Sequence, residues 1–474
     1  MSYIKSYGIA LPHFKIEDVV LHPKGKKGVT KSVCFTDEDL ITLAYEAASK
    51  LELSPSLREG WGGINLKPDA VLFATSTPVF KSRYHASFLA DLLHLPQGIL
   101  ALDFTNSTRS GTDALLLANT LIDSGKYKNI LVVAADVHFP AIGKELSTPF
   151  GHAACAILVS KEVGVAEITA AKSYSSSLAE EFSYKINTIQ YDPRFSRDAG
   201  FKTNLTNSLK DFVTNPKQYD AVILNSLYAR MAGGIFAKAG FEETQFAKDT
   251  LISKIGNTGA AHGLLLLINE LESTPFPSGR AGDGTILLAD YTNGTNFFEI
   301  KTFGTLKEKV VQEQLKNVEL INSYQDYLLL RKAGNYNSAN YETKEMFSSE
   351  MMQEREKDTL QYLKGLKCDE CGTIYYLKST RCKKCKGDKF STVQLAKHGT
   401  VYTLASEHYF PSSFPPINML VIDLDGGGRV TVQQTDTMYP EKNKIQIGSK
   451  VKLVLRKMIE NDAKPNYFWK GIKI

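Results

Sequence analysis

The sequence predicts an α/β protein: a duplicated, five-layered body, then a cysteine-rich ribbon and a small all-β barrel. Three observations predict it. Apolar, strand-like runs alternate with helical stretches. The order of elements in one half of the body recurs in the other. Two CxxC pairs follow the body, and short strands separated by turn signals follow them.

The strand-like runs are "DAVLFATST" (69–77), "NILVVAADV" (129–137), "DAVILNS" (220–226) and "GTILLADY" (284–291). Each is apolar and bounded by turn residues. "TDEDLITLAYEAASKL" (36–51) reads as a helix with Thr36 at the N-cap and acids in its first turn. Strands alternating with helices favour parallel-rich sheets covered by helices. "PDAVLFATSTP" precedes "GTDALLLANTLIDSGKYKNILVVAAD", and "YDAVILNSLYA" precedes "AAHGLLLLINELESTPFPSGRAGDGTILLADY". Both halves thus run strand, loop, apolar helix, turn, strand. The two helices are apolar on most sides, so both are expected between layers. Two unrelated nucleotide-binding-type domains are the alternative, but no Gly-rich dinucleotide fingerprint follows an early strand.

Beyond about residue 303, "EKVVQEQLKNVELINSYQDYLLLRKAGN" reads as helical and amphipathic. "YNSANYETKEMFSSEMMQEREKDTLQYLKGLK" reads as a connecting loop plus helix. Cys368, Cys371, Cys382 and Cys385 form two CxxC pairs ten residues apart. Four thiolates satisfy tetrahedral Zn²⁺ at ~2.3 Å each and leave no open position, so a structural zinc is expected. Disulfides are the alternative. The surrounding Lys378, Arg381, Lys383, Lys384, Lys386 and Lys389 could offset the charge of a four-thiolate site, meet phosphates, or simply be solvated. Residues 396–474 are strand-rich with turns such as "DGGG", as in a small closed barrel.

A chain of 474 residues with 43% hydrophobic and 23% charged residues has the composition of a globular protein of two or three domains. A net charge of +5 is too weak to argue for nucleic acid. No run approaches a membrane span of ~18 apolar residues, and the N-terminal stretch lacks a signal-peptide core, so a cytoplasmic protein is expected. Cys34 and Cys155 stand apart from the cluster and read as inert thiols.

Residues 355–474 resemble the acyl-CoA-associated zinc-ribbon plus OB-fold family, on the CxxC pairs, "HGTVYTLAS", "GGRVTVQQTD", "IGSKVKLVLRKM" and "NYFWKGIKI". Residues 1–345 resemble the thiolase superfamily, in the branch of hydroxymethylglutaryl-CoA synthase and ketoacyl synthase of the third type. The residues that carry it are "DFTNSTRSGTDALLLA" on the nucleophile loop, "PFGHAACAILVS", "LNSLYARM", "IGNTGAA" and "YQDYLLLRKAGN". The resemblance implies a five-layer duplicated thiolase fold, with halves at 1–165 and 166–305, a helical extension and linker at 306–354, a ribbon with its preceding helix at 355–392 and an OB-fold at 393–474. It also implies acyl-CoA as substrate or ligand, a homodimer through strands near "NILVVAAD", and a possible separate thiolase subunit.

Where the branch carries its catalytic cysteine this chain has Thr108, and where it carries a histidine it has Asn225. Thr75 stands at the acidic position, and Asn257 keeps the Gly-Asn loop. A threonine hydroxyl needs a close general base to attack a thioester, and an asparagine cannot take the proton. Asn225 and Asn257 can still donate hydrogen bonds to a developing oxyanion. His262 is the preferred substitute base, with His152 and His85 as further candidates or structural histidines. Three readings follow: carbon–carbon bond chemistry of aldol or retro-aldol type on an acyl-CoA, a non-catalytic scaffold that channels CoA thioesters beside a cysteine-bearing thiolase, or an ordinary acyltransferase. The missing residues argue against the third.

Overall fold

Nine strands form one sheet in the computed structural model, which describes residues 1–51, 67–178, 180–184, 187–190, 192–273, 276–279, 282–304, 309–331, 350–409, 413–461 and 464–474. The strands are β1 (Ser2–Ala10), β2 (Ala70–Ala74), β3 (Leu100–Phe104), β4 (Asn129–Asp136), β5 (Ala153–Ser160), β6 (Ala166–Ser175), β7 (Ala221–Asn225), β8 (Thr285–Tyr291) and β9 (Gly294–Thr302). Their spatial order is β7-β8-β9-β6-β1-β5-β4-β2-β3. The two halves of the body meet where Ser2–Ile4 of β1 pairs with Ala166–Ile168 of β6. Within each half the strand that follows the apolar helix pairs in parallel with the first strand of the repeat: β4 with β2, and β8 with β7.

The duplication is incomplete. β3 lies in parallel beside β2, but its counterpart beside β7 is reduced to one bridge, Val222 with Phe246. The residues at that position carry "ETQFAKDT", too polar and short for a strand.

Side chains alternate across the sheet with period two, which separates the cores. Val71, Phe73, Leu131 and Val133 face the helices α1 (Leu40–Ser49) and α2 (His85–Leu92). Leu72, Ala74, Val132 and Ala134 share a middle core with Ile286 and Leu288 of the second half. Helices α3 (Ser110–Asp123) and α4 (His262–Leu271) run through this middle core. Val222, Leu287 and Ala289 form a third core on the far side. The layers are therefore helix, sheet, helix, sheet, helix. The two apolar helices are not equally buried. Residues of α4 are buried save Asn269, whereas Leu116, Leu117 and Leu121 of α3 stay half-exposed, beside the half-exposed β3.

The first helix starts later than Thr36. Asp39 is the N-cap, accepting from the backbone of Ile41 and Thr42 in a capping box with Thr42. Asp37 and Glu38 are free of the helix and serve the barrel instead. The extension after residue 303 is two short helices, Val310–Lys316 and Tyr324–Leu330, because Glu319–Leu320 pairs with Phe14–Lys15 between them. Most of the linker expected within 306–354 lies outside the described residues.

The C-terminal part begins with a helix, Lys357–Leu360, that ends before the expected "TLQYLKGLK" does, since Leu363 adopts a left-handed φ of 52°. A three-stranded ribbon follows: β10 (Lys364–Cys368), β11 (Ile374–Tyr375) and β12 (Phe390–Gln394). Then come β13 (His398–Glu407), β14 (Ile417–Leu424), β15 (Arg429–Gln433), β16 (Lys450–Asn461) and β17 (Lys464–Lys473), antiparallel in the order β15-β14-β13-β16-β17. A bridge from Gln434 to Gly471 nearly closes the barrel.

The barrel is seated on the body through charge as well as apolar contact. Val451, Leu453 and Trp469 join the core of α1 and α2. Lys470 Nζ lies 2.8 Å from Asp37, Arg456 Nη2 3.0 Å from Glu38, and Tyr467 OH donates to Asp39 at 2.7 Å. All are buried. Burial pushes the Glu38 carboxyl up to about 8 against the pull of Arg456. Burial would also raise Asp37, but Lys470 and Arg456 outweigh it and hold this carboxyl below its ordinary range.

Candidate functional site

The ends of β7 and β8 and the N-termini of α3 and α4 converge on one buried carboxylate, Asp290. Thr112 Oγ1 of α3 donates to its Oδ2 at 2.7 Å, and Asn225 Nδ2 of β7 donates to its Oδ1 at 2.9 Å. Gly263 of α4 packs so closely that a Cβ there would stand 2.8 Å from Oδ2. Asp290 is 1% exposed. Burial raises its carboxyl to about 6, although the bond from Thr112 and the charge of Arg109 pull it down. Asn296 Nδ2 donates to Thr112 Oγ1 at 3.1 Å and to Asp113 at 2.7 Å, so the network continues into β9.

Thr108 joins the same strand end two residues further on. It is exposed in the loop before α3, and its Oγ1 lies 2.8 Å from Thr292 Oγ1. Thr292 Oγ1 also lies 2.8 Å from the carbonyl of Tyr291. Whichever hydroxyl donates, Thr108 meets a hydroxyl there and not a base. Thr75 lies elsewhere. It is fully buried and donates to Asp136 at the end of β4.

Asp136 accepts six hydrogen bonds: from Thr75 Oγ1, Ser76 N and Oγ, Thr77 N and Oγ1, and Ala260 N, at 2.6–3.1 Å. It ties the loop after β2 to the Gly-Asn loop. Gly259, with φ of 56°, leaves no room for a Cβ against Asp136 Oδ2. Asn257 accepts from Gly259 N at 2.8 Å, which uses its side-chain oxygen locally.

His262, at the start of α4, is 1% exposed and has both ring nitrogens engaged. Nε2 lies 2.9 Å from Asp249 Oδ2, and Nδ1 lies 3.2 Å from Thr258 Oγ1 and 3.4 Å from Thr258 N. A carboxylate accepts only, so Nε2 carries the proton and Nδ1 the lone pair. Asp249 is drawn down by His262 and by two backbone N–H groups, more than burial raises it.

The other two candidate histidines are also engaged by neighbouring groups. His85 sets its Nδ1 2.7 Å from Asp103 and accepts from Phe80 N at 3.1 Å. His152 accepts from Cys34 N at 2.9 Å and lies 3.0 Å from the His138 carbonyl; burial lowers it to about 3. Cys34 and Cys155 are buried, and burial raises both thiols. Neither is ionised near neutral pH.

The four clustered thiols converge. Cys368 Sγ lies 3.5 Å from Cys385 Sγ, Cys371 Sγ 3.5 Å from Cys382 Sγ, and all four lie within 4.8 Å of one another. Sulfurs ~2.3 Å from a tetrahedral metal stand ~3.8 Å apart, so the set fits a four-thiolate site. The two CxxC turns are built alike. Gly372 N donates to Cys368 O and Lys386 N to Cys382 O, with φ of 73° at Gly372 and 67° at Lys386.

The family that matches is 3-oxoacyl-[acyl-carrier-protein (ACP)] synthase III, over residues 102–177. Hydroxymethylglutaryl-CoA synthase of Methanosphaera stadtmanae is 25% identical over 356 residues, covering 70% of this chain and 98% of that protein. The synthase of Thermoplasma acidophilum is 22% identical over 358 residues, covering 70% and 97%. Among solved structures, an HMG-CoA synthase complexed with CoA superposes with a TM-score of 0.56 at 17% identity, covering 68% of this chain and 88% of that one. 3-Oxoacyl-[acyl-carrier-protein] synthase III of Aquifex aeolicus superposes at 0.51 and 19% identity, covering 64% and 100%. The chain has the thiolase fold. Its sequence is similar to HMG-CoA synthases and, over residues 102–177, to 3-oxoacyl-ACP synthases III, and it carries a four-cysteine cluster and a five-stranded barrel in addition.

Sequence reasoning did not single out Asp290, Thr292, Asp136, Asp249 or Thr112. A signal for two of them was present: "NILVVAAD" is an apolar strand ending on Asp136, and "GTILLADY" is one with Asp290 next to its last residue. An acid so placed is buried and needs partners.

Proposed function

We propose that this protein binds an acyl-CoA thioester and performs carbon–carbon bond chemistry of aldol or retro-aldol type on it, without an acyl-enzyme intermediate. One observation carries the reading: among the described residues the Thr108 hydroxyl meets only the hydroxyl of Thr292, which is itself bonded to the Tyr291 carbonyl, and neither group is a base. A hydroxyl without a base does not become an acyl carrier. Aldol chemistry needs a base for a ligand hydroxyl and donors for a thioester enolate, and no thiol. The base we assign is His262. Asp249 orients it, and its Nδ1 lies 3.2 Å from the Oγ1 of the buried Thr258. Asn257 remains a candidate donor to the thioester.

The test is incubation of the metal-loaded chain with a panel of 3-hydroxyacyl-CoAs. Cleavage by the chain alone, lost in His262→Ala and kept in Thr108→Ala, supports the reading. A stable acyl adduct on Thr108, found by mass spectrometry, overturns it.

A second reading is a non-catalytic scaffold that passes CoA thioesters to a separate cysteine-bearing thiolase. The 1% exposure of His262 and the barrel locked onto the body by buried charge favour it. Cleavage that appears only with an added thiolase would select it.

We assign the four-cysteine site to structural Zn²⁺, which would hold the ribbon closed, and expect one zinc per chain by elemental analysis. We also propose a homodimer. Among the described residues β3 pairs only with β2, and half-exposed Leu100, Leu102 and Phe104 continue into Leu116, Leu117 and Leu121. A monomer by light scattering at micromolar concentration would refute the dimer.

A further inference from the structure

Asn225 is more constrained than its place at a strand end requires. Its Nδ2 donates to Asp290, and among the described residues its side chain makes no other hydrogen bond. An ionised carboxylate accepts and never donates, so the amide must turn its NH2 side inward. The amide oxygen is left without a hydrogen-bond partner among the described residues. Asp290 is itself immobile: Thr112 Oγ1 bonds its other oxygen at 2.7 Å, Asn296 steadies Thr112 at 3.1 Å, and Gly263 closes the remaining side. The donors run Asn296 to Thr112 to Asp290, and Asn225 to Asp290, so they converge on one acceptor. Asn225 keeps 8% of its surface, while Asp290 keeps 1%. Both are buried, and Asn225 is the less enclosed of the pair.

We infer that Asp290 is a positioning residue that turns the Asn225 amide oxygen toward the ligand, so that this pocket takes a C3 hydroxyl, as in a 3-hydroxyacyl thioester, in preference to a C3 ketone. A hydroxyl donates to the oxygen. A ketone at the same place sets two acceptors face to face and leaves both unpaired, which disfavours binding. The inference rests on the proposed acyl-CoA site and adds which oxidation level of the acyl chain fits it. It also gives Asn225 the role of acceptor, where the sequence alone allowed a donor to an oxyanion.

The carboxyl of Asp290, raised to about 6 by burial, is ionised at pH 8, so the test is run there. Dissociation constants are measured by calorimetry for butyryl-CoA, both enantiomers of 3-hydroxybutyryl-CoA, and acetoacetyl-CoA. The wild type should bind one 3-hydroxy enantiomer about tenfold more tightly than acetoacetyl-CoA, the effect of one hydrogen bond made against one left unmade. Asp290→Asn frees the amide to turn and should bring that ratio to within about twofold. Asn225→Ala removes the acceptor and should do the same while Asp290 is kept, which covers the case of an Asp290 variant that does not fold.

Equal affinity of the wild type for the two oxidation levels, or preference for acetoacetyl-CoA, overturns the inference and leaves acyl-CoA binding intact. A ratio unchanged in Asn225→Ala also overturns it. Absence of binding for every thioester overturns the acyl-CoA site itself and this inference with it.

Discussion

Asp136 and Asp290 sit at the ends of strands that hold the same place in their halves, each paired in parallel with the first strand of its repeat. Their surroundings differ. Asp136 accepts six hydrogen bonds, three of them from backbone N–H groups, and joins two loops. Asp290 accepts two, from Thr112 and Asn225, and burial raises it to about 6. One duplicated framework has thus made one acid a fixed anchor and left the other under-solvated. An anchor needs every lone pair used. A group that must respond to a ligand keeps few partners, and buried acids with few partners mark functional sites.

The comparison can be broken at several points. Removing the anchor should have the largest effect. Asp136→Ala leaves buried donors without an acceptor and should cost about 4 kcal/mol or more, read by urea unfolding. A loss under about 1 kcal/mol would mean that the six bonds do not hold the loops.

Next is Gly259→Ala, which sets a methyl against Asp136 at a left-handed backbone position. A loss of about 3 kcal/mol is expected, against about 1 kcal/mol for Gly263→Ala beside Asp290, where the contact is looser. Equal losses would erase the distinction between the two acids.

Asp290 should then show itself through pH. Its folded value, about 6, lies above that of an unfolded aspartate, so its contribution is present below about pH 4 and is lost as pH rises through 6. The span is on the order of 2–3 kcal/mol for this fully buried group. Asp290→Asn should flatten that part of the stability profile and be no less stable than wild type at pH 8. A wild-type profile identical to that of the variant between pH 4 and 8 would contradict the shift.

The smallest effect is expected for Thr108→Val, which loses one exposed hydrogen bond to Thr292. A change of about 0.5 kcal/mol or less in stability should accompany unaltered thioester affinity.

Much of this arrangement was legible in the chain. The apolar runs "NILVVAAD" and "DAVILNS" became β4 and β7, since a short buried strand advertises itself within its own residues. The CxxC pairs likewise bring their thiols together through local turns. The site was harder to read because its contacts are long-range. Thr108 meets Thr292 across 184 residues, and Thr112 meets Asp290 across 178. The first helix misled for a related reason: "TDED" reads as a cap and first turn, but Asp37 and Glu38 answer to Lys470 and Arg456 of the barrel. Local propensity sees the cap, and only the folded chain supplies the distant cation.

That last contact has a consequence for biogenesis. Lys470 closes on Asp37 across 433 residues, so the anionic stretch near the start of the chain leaves the ribosome long before its counter-ions are made. At ~10 residues per second the nascent first half waits roughly 40 s with its barrel-binding face bare. Ending translation before β17 would leave that face bare for good.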